Sequence, residues 1–413
     1  MNILMVGDSH TQLAGGSLFS MLRFADLLKD AGHKVVFIAE RLPGGPGIDT
    51  YNGMRVYHFR SLLLPGMHNR YRLALPSRRE IEEVIRKEKV EIVHLIMPTP
   101  AANAAANAAS RLGVPVVAHL HSQPEIVYPG LSRIVKRLIP LRVLREPFYR
   151  YLLWVYRKVS VVICPTRFAQ KGLERQSRKV RTAIISNGVP FTVFRKRDPA
   201  PFLRKYGLHG PRLLFVGRFD PWKSVGTLVG AMPTILEGCP DAHLDLVGVG
   251  QGRSKLERLA ERLGVASHVT FFGKLPLDDL VLAYNACSAF VLPSFAELEG
   301  MVVLEAMACG KPIIISDSTE NASAQFVHGN GFLFRYGDPK NLAEKAVRIL
   351  TDGKLRAQMG AASFRKSRLY DIRRSLTKLI EVYRKAKRGV AGARRPSASG
   401  GARRSAPRRR QSA

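Results

Sequence analysis

The segment Pro293-Ser294-Phe295-Ala296-Glu297-Leu298-Glu299-Gly300-Met301-Val302-Val303-Leu304-Glu305-Ala306-Met307-Ala308-Cys309-Gly310 carries two carboxylates eight positions apart, Glu297 and Glu305. They flank an expected strand-to-helix junction, and a helix starting near Gly300 aims its free N–H groups at a bound group. Carboxylates accept well from vicinal hydroxyls, so the pair suits ribose and sugar recognition. Acids at a helix start are also an ordinary structural feature. Glu305, however, sits inside the apolar run VVLEAMA, where an unpaired charge is costly. That favours a functional role.

Two cations offer a second constellation. Arg218 and Lys223 bracket the turn in Val216-Gly217-Arg218-Phe219-Asp220-Pro221-Trp222-Lys223, with Arg218 at the carboxyl end of an expected strand, where open α/β sheets bind ligands. They could clamp a diphosphate, the guanidinium bidentate and the ammonium as a point charge; they could equally be solvated cations of a surface loop. Gly15-Gly16, ahead of the first expected helix, would let backbone N–H groups approach a phosphate. His119 and His121 close the run PVVAHLH at a strand end facing the same kind of crevice, although a strand-end histidine is commonly a structural hydrogen-bonder. No G-x-G-x-x-G follows the first strand, which argues against a dinucleotide enzyme. No Asp-x-Asp and no His/Cys/Asp cluster has metal spacing, so no metal or other cofactor is expected.

These side chains need a scaffold of alternating short strands and helices. Apolar runs at Ile3–Val6, Val35–Ala39, Glu91–Ile96, Val114–His119, Val159–Cys164 and Arg181–Ile185 alternate with amphipathic or Ala-rich stretches, as in βα units. The alternation breaks near Asn187-Gly188-Val189-Pro190 and restarts at Leu213–Val216. The sequence thus predicts an α/β chain of two doubly wound, parallel-sheet Rossmann-like domains: residues 1–188, a linker over 189–200, then 201–365. An amphipathic helix at 366–388 and a disordered basic tail at 389–413 follow.

The chain has 413 residues and a formal net charge of +33, unevenly spread. Residues 1–200 carry 31 Lys and Arg against 14 Asp and Glu, residues 201–350 carry 15 of each, and residues 351–413 carry 19 against 3. A protein binding polyanions over its whole surface would not need that partition. Leu131–Lys158 holds eight cations and one acid among apolar and aromatic residues. It reads as a basic amphipathic surface or as an internal helix with snorkelling cations. The four cysteines are scattered, no apolar run reaches transmembrane length, and MNILMVGDSH does not read as a signal peptide. A cytoplasmic location is the expectation.

Taken together, the motifs resemble the retaining glycosyltransferases of family 4, which have the GT-B fold. The resemblance spans residues 1–385 and rests on Gly15-Gly16, the HLH strand end, Asn187-Gly188-Val189, VGRFDPWK, LVGVGQG and PSFAELEGMVVLEAMACGKP. It implies two facing domains with a nucleotide-sugar in the cleft and a C-terminal helix crossing back to the first domain. By position, Arg218 and Lys223 would hold the donor diphosphate, Glu305 the ribose and Glu297 the transferred sugar. Gly300 and Met301 would assist through backbone, Gly15 and Gly16 would close over the phosphates, and His121 would lie at the reaction centre. The chain departs from the family at Leu298-Glu299-Gly300, where Gly-Phe-Gly is common. It departs also at Ser224 and at Val249 in Gly248-Val249-Gly250, where a Gly and an Asp are usual, and at Ser288, where an Asp is frequent.

Lipid-modifying members, such as phosphatidylinositol mannosyltransferases and glucosyldiacylglycerol synthases, dock by a basic amphipathic surface. Arg133, Lys136, Arg137, Arg142, Arg145, Arg150 and Trp154 are the matching candidates here. The resemblance therefore implies hexose transfer from GDP-mannose or a UDP-hexose to a membrane lipid or lipid-linked glycan, by a peripheral enzyme on the inner face of an anionic membrane. A soluble acceptor or a nucleotide-sugar epimerase of the same fold are alternatives. A nucleic-acid-binding protein is a distant one, disfavoured by the neutral central block and the lack of a recognition motif.

Overall fold

The computed structural model describes residues 1–7, 16–63, 72–124, 128 and 140–393, without the side chains of Arg142 and residues 390–393. The amino-terminal half forms strands β1 (Asn2–Val6), β2 (Lys34–Glu40), β3 (Ile48–Tyr51), β4 (Met54–Phe59), β5 (Ser61–Leu63), β6 (Arg72–Ala74), β7 (Ile92–Leu95), β8 (Val116–His119), β9 (Val161–Cys164) and β10 (Thr182–Ile184). Eight of them make one sheet in the order β10-β9-β8-β7-β1-β2-β4-β3, parallel except for β3; β5 and β6 form a separate antiparallel pair. Side chains alternate across this sheet as strand geometry requires. Leu4, Val6, Val36 and Ile38 enter one core with the helices α2 (Arg78–Lys87) and α3 (Pro100–Leu112). Ile3, Met5, Val35 and Phe37 enter another with α1 (Gly16–Asp30). The buried alanines of α3 keep it close to the sheet, and Gly113 ends it in the left-handed conformation. Two further helices, α4 (Leu141–Tyr156) and α5 (Arg167–Gln176), belong to this half.

The second half holds helices α6 (Ala200–Tyr206), α7 (Val225–Gly238), α8 (Arg253–Arg262), α9 (Leu277–Ala286), α10 (Met301–Ala308), α11 (Pro339–Thr351), α12 (Gly353–Ser367) and α13 (Ile372–Ala393). Its strands are β11 (Arg212–Val216), β12 (His243–Val247), β13 (Val269–Gly273), β14 (Ala289–Leu292), β15 (Ala296–Glu297), β16 (Ile313–Ser316), β17 (Glu320–Asn321) and β18 (Gly331–Phe334). Six form a parallel sheet ordered β13-β12-β11-β14-β16-β18, while β15 pairs with β17.

The molecule is thus the expected pair of Rossmann-like sheets, and α13 does cross back. Its Ile372, Leu379, Tyr383 and Ala386 are buried in the α1-side core of the first domain. Two segments differ from the sequence reading. Val189 and Phe194, in the stretch expected to be a linker, are buried in the C-terminal core, because their apolar side chains have no other place to leave water. And α13 runs on to Ala393, five residues into the expected tail and through Gly389 and Gly392, with no proline to stop it before that point; residues 394–413 lie outside the described part.

In the second sheet the strand order reverses between β11 and β14. A crevice opens at such a switch point, beside the carboxyl ends of the strands. Arg218 follows β11 and Glu297 follows β14, so the topology delivers both to that crevice.

Candidate active site

Lys223 ends a short 3-10 turn after β11, and its Nζ lies 2.5 Å from Glu297 Oε1. Ser294 Oγ donates to the same carboxylate oxygen at 2.7 Å. The two residues, 74 positions apart in sequence, therefore form one largely buried pair. Arg218 binds Asp220 through Nε (2.8 Å to Oδ2) and Nη2 (3.3 Å to Oδ1). Neither sequence-level cation is simply solvated; each carries a counter-charge.

Gly300 caps α10 with φ 79°, and a Cβ there would lie 2.1 Å from Ser323 Oγ. Both facts require glycine, and they set the start of α10 and with it Met301, the helix's first residue. Gly248 has a different reason: its added Cβ would stand 1.9 Å from the Gly217 carbonyl oxygen. The glycines of LVGVGQG thus let the loop after β12 press on the loop carrying Arg218. The departure at Ser224 also has a physical reading. It adopts φ 49°, the left-handed conformation that suits glycine, and its hydroxyl lies 3.1 Å from the Tyr336 hydroxyl.

Glu305 is buried with both oxygens engaged: Arg23 Nη2 reaches Oε1 at 2.7 Å and the Tyr284 hydroxyl donates to Oε2 at 2.9 Å. Arg23 belongs to α1, so this ion pair joins the two domains. Phe24, the next residue, stacks on His119 (centroids 5.9 Å). Adjacent side chains of α1 therefore touch α10 and His119 of β8. A second link runs through Glu299: the Asn187 backbone N–H and Nδ2 donate to its Oε2 at 2.9 and 2.7 Å, and Ser20 Oγ of α1 donates to Asn187 Oδ1 at 2.6 Å. Burial raises the Glu299 carboxyl to about 7, against the lowering effect of the Ser186 and Asn187 bonds. Thr166 Oγ1 donates to the Leu298 carbonyl, and Leu298 is buried in the core of the first domain.

His121 stacks on His119 (5.0 Å) and His119 on His94 (4.8 Å). His94 Nε2 lies 2.8 Å from His119 Nδ1, and His94 Nδ1 lies 2.6 Å from the Tyr383 hydroxyl on α13. Part of His121 reaches solvent, yet enclosure lowers its pKa to about 4; burial, with the charge of His121, lowers that of His94 to about 3. The row is neutral at physiological pH.

Gly16 is the first residue of α1, and a Cβ there would meet nothing within 4 Å. Gly15, Arg133, Lys136 and Arg137, and the side chain of Arg142, lie outside the described residues. Arg145, Arg150 and Trp154 are exposed on α4, whose other face buries Tyr149, Leu152, Val155 and Tyr156 in the first domain's core. That helix is both things the sequence allowed, a core element and an exposed basic-aromatic face.

Sequence reasoning missed Arg23, His94, Tyr284 and Tyr383, and the parts played by Asn187 and Glu299. The legible hints were a lone arginine in the apolar stretch MLRFADLL, and an acid where the family pattern has Phe.

The family model for "Glycosyltransferase Family 4" matches residues 14–192, and that for "Glycosyl transferases group 1" matches residues 205–366. Among relatives, the sulfoquinovosyl transferase SQD2 of Arabidopsis thaliana is 26% identical, over 86% of this chain and 68% of its own. The phosphatidyl-myo-inositol mannosyltransferase of Mycolicibacterium smegmatis is 25% identical over 93% of both chains. Among solved structures, sucrose-phosphate synthase from Thermosynechococcus elongatus superimposes with a TM-score of 0.75 at 22% identity, covering 94% of this chain and 99% of its own. Anabaena HepE in complex with UDP-glucose gives 0.73 at 19%, covering 93% and 100%. With both halves matched, one by each model, and with two Rossmann-like sheets joined by a returning helix, the chain belongs to the family 4 glycosyltransferases of GT-B fold.

Proposed function

We propose that this glycosyltransferase moves a hexose from a nucleotide-sugar, a UDP-hexose or GDP-mannose, to a membrane lipid or lipid-linked glycan, with retention at the anomeric carbon and no metal cofactor. The observation that carries the reading is the Lys223–Glu297 pair, anchored by Ser294 beside the Arg218 turn at the switch point. A diphosphate entering there draws Lys223 and Arg218 from their carboxylate partners. Glu297 is then free to accept from sugar hydroxyls, and Glu305 is the candidate for ribose. The bond from the anomeric carbon to phosphate oxygen breaks, its electron pair stays on the diphosphate, and the two cations stabilise that charge. The acceptor oxygen bonds to the same face of the sugar and passes its proton to the departing phosphate. His121, neutral above about pH 4, serves as a hydrogen-bond partner of the sugar rather than as an acid.

The donor class is supported by the UDP and UDP-glucose complexes of HepE, and the lipid acceptor by the name of the mycobacterial mannosyltransferase. A peripheral position on an anionic leaflet, at the inner face of the membrane, is supported by the exposed Arg145, Arg150 and Trp154. No helix among the described residues is long and apolar enough to cross a membrane.

The test is turnover of labelled UDP-glucose and GDP-mannose with a membrane lipid extract, with the product's anomeric configuration read by NMR. Glu297→Gln is expected to lower kcat by about 100-fold or more, in the range for losing a transition-state contact. Full activity in Glu297→Gln, or an epimerised nucleotide-sugar formed without acceptor, refutes the assignment.

A further inference from the structure

A groove of about 1240 Å³ runs along the first domain where α13 meets the edge of the sheet. Its apolar wall is Leu153 on α4, Val159 and Val161 leading into β9, Val180 ahead of β10, and Val382 and Ala386 on α13. Arg157, Lys179, Arg181 and Lys385 also line it, all four exposed, and among the described residues no Asp or Glu does. Among the described residues none of the four is ion-paired, whereas Arg197, Lys205, Arg212, Arg218 and Lys223 of the second domain each face a carboxylate. The Arg157 guanidinium lies 5.8 Å from the Trp154 ring, which joins the groove to the exposed aromatic face of α4.

We propose that this groove binds one anionic glycerolipid of the membrane, with its phosphate among the four cations and an acyl chain along the valine wall, as a docking site separate from the catalytic cleft. The charge pattern selects the class. A free phosphate satisfies the cations and leaves the valines wet, a neutral lipid does the reverse, and a nucleic acid has no alkyl chain for the wall. The position selects the role. The lining comes from the amino ends of β9 and β10, whereas His119 and the crevice lie at carboxyl ends, a strand length of about 13 Å away. A lipid here holds the enzyme to the leaflet and is not the molecule glycosylated. The proposal rests on the membrane-lipid reading above.

The experiment uses the full chain and a monomeric probe, dihexanoylphosphatidylglycerol, so that the basic tail has no vesicle surface to attract it. Binding is read by calorimetry beside glycerol phosphate and a short oligothymidylate, and donor hydrolysis without acceptor is followed separately. The lipid is expected to bind, with glycerol phosphate and the oligonucleotide weaker by about tenfold or more. Arg181→Glu/Lys385→Glu, and independently Lys179→Glu, should weaken lipid binding by about tenfold or more while donor hydrolysis and melting temperature stay put. Unchanged lipid binding in those variants overturns the proposal, as does tighter or equal binding of glycerol phosphate or the oligonucleotide. Loss of donor turnover with lipid binding intact would instead count against the glycosyltransferase site.

Discussion

The Arg23–Glu305 ion pair should be the strongest single link between the two domains. Glu305 has a side chain only 6% exposed, held by Arg23 and by the neutral Tyr284 hydroxyl. Arg23→Met keeps a long side chain over Phe194, where the guanidinium now lies 5.3 Å from the ring, and removes the charge. It leaves a buried carboxylate with one neutral donor. Breaking an enclosed pair costs about 3–5 kcal/mol, and because the Arg23 side chain is 21% exposed the lower end, about 3 kcal/mol, applies. Glu305→Gln alone takes the counter-charge from Arg23 but leaves an amide oxygen that can still accept from it, so its cost should be smaller. The double variant removes both charges and should recover about 2 kcal/mol relative to the sum of the singles. The assay is urea unfolding followed on the first transition, since two domains need not unfold together. Additivity of the two substitutions within about 0.5 kcal/mol refutes the pair as an energetic link.

Three further outcomes follow from the geometry. Ser224→Gly should stabilise the protein by about 1 kcal/mol, since glycine takes φ 49° without the Cβ penalty; an unchanged or lower urea midpoint counts against that strain. Tyr383→Phe removes the partner of the fully enclosed His94 Nδ1 and should cost about 1–3 kcal/mol in the same assay, with no loss meaning that the contact carries nothing. Glu299, raised to about 7 by burial, holds its proton in the fold at pH values where the unfolded chain has lost it. Its contribution is therefore complete at acid pH and is lost as pH climbs through 7. His121 and His94 act with the opposite sign: they stay neutral in the fold, so stability is full above the unfolded value near 6.5 and falls as pH drops toward 4. Glu299→Gln should flatten the melting temperature between about pH 5 and 8 and leave the acid limb in place; a parallel profile in the variant rejects it.

The fold was legible because buried parallel strands are continuous apolar runs, and Ile3–Val6 or Ala289–Leu292 can hardly be anything else. The strands between Ile48 and Ala74 were not, because β3 and β5 are short and half exposed and carry no apolar alternation. At the site, Glu297 and Lys223 were legible through local motifs, each a loop at a strand end. What those residues touch was not. Arg23 meets Glu305 across 282 positions, and Tyr383 meets His94 across 289, so no window of sequence contains either pair. Glu299 was noticed only as a departure from a pattern, and its meaning needed Asn187 and Ser20 beside it.

The same distinction explains the distribution of charge. The balanced stretch 201–350 is not short of cations; it holds 15, and several of its acids are placed against them, with Asp220 on Arg218 and Glu297 on Lys223. On the proposed function, a donor diphosphate exchanges with carboxylates already in position. Among the described residues, Arg157, Lys179 and Arg181 of the first domain, joined by Lys385 from the returning helix, have no such partners. Exposed and without a carboxylate in reach, these four side chains are solvated in the free protein and available to an anionic ligand. On the docking proposal, this cluster is where the excess of positive charge meets an anionic surface, while the neutral half holds the proposed donor site.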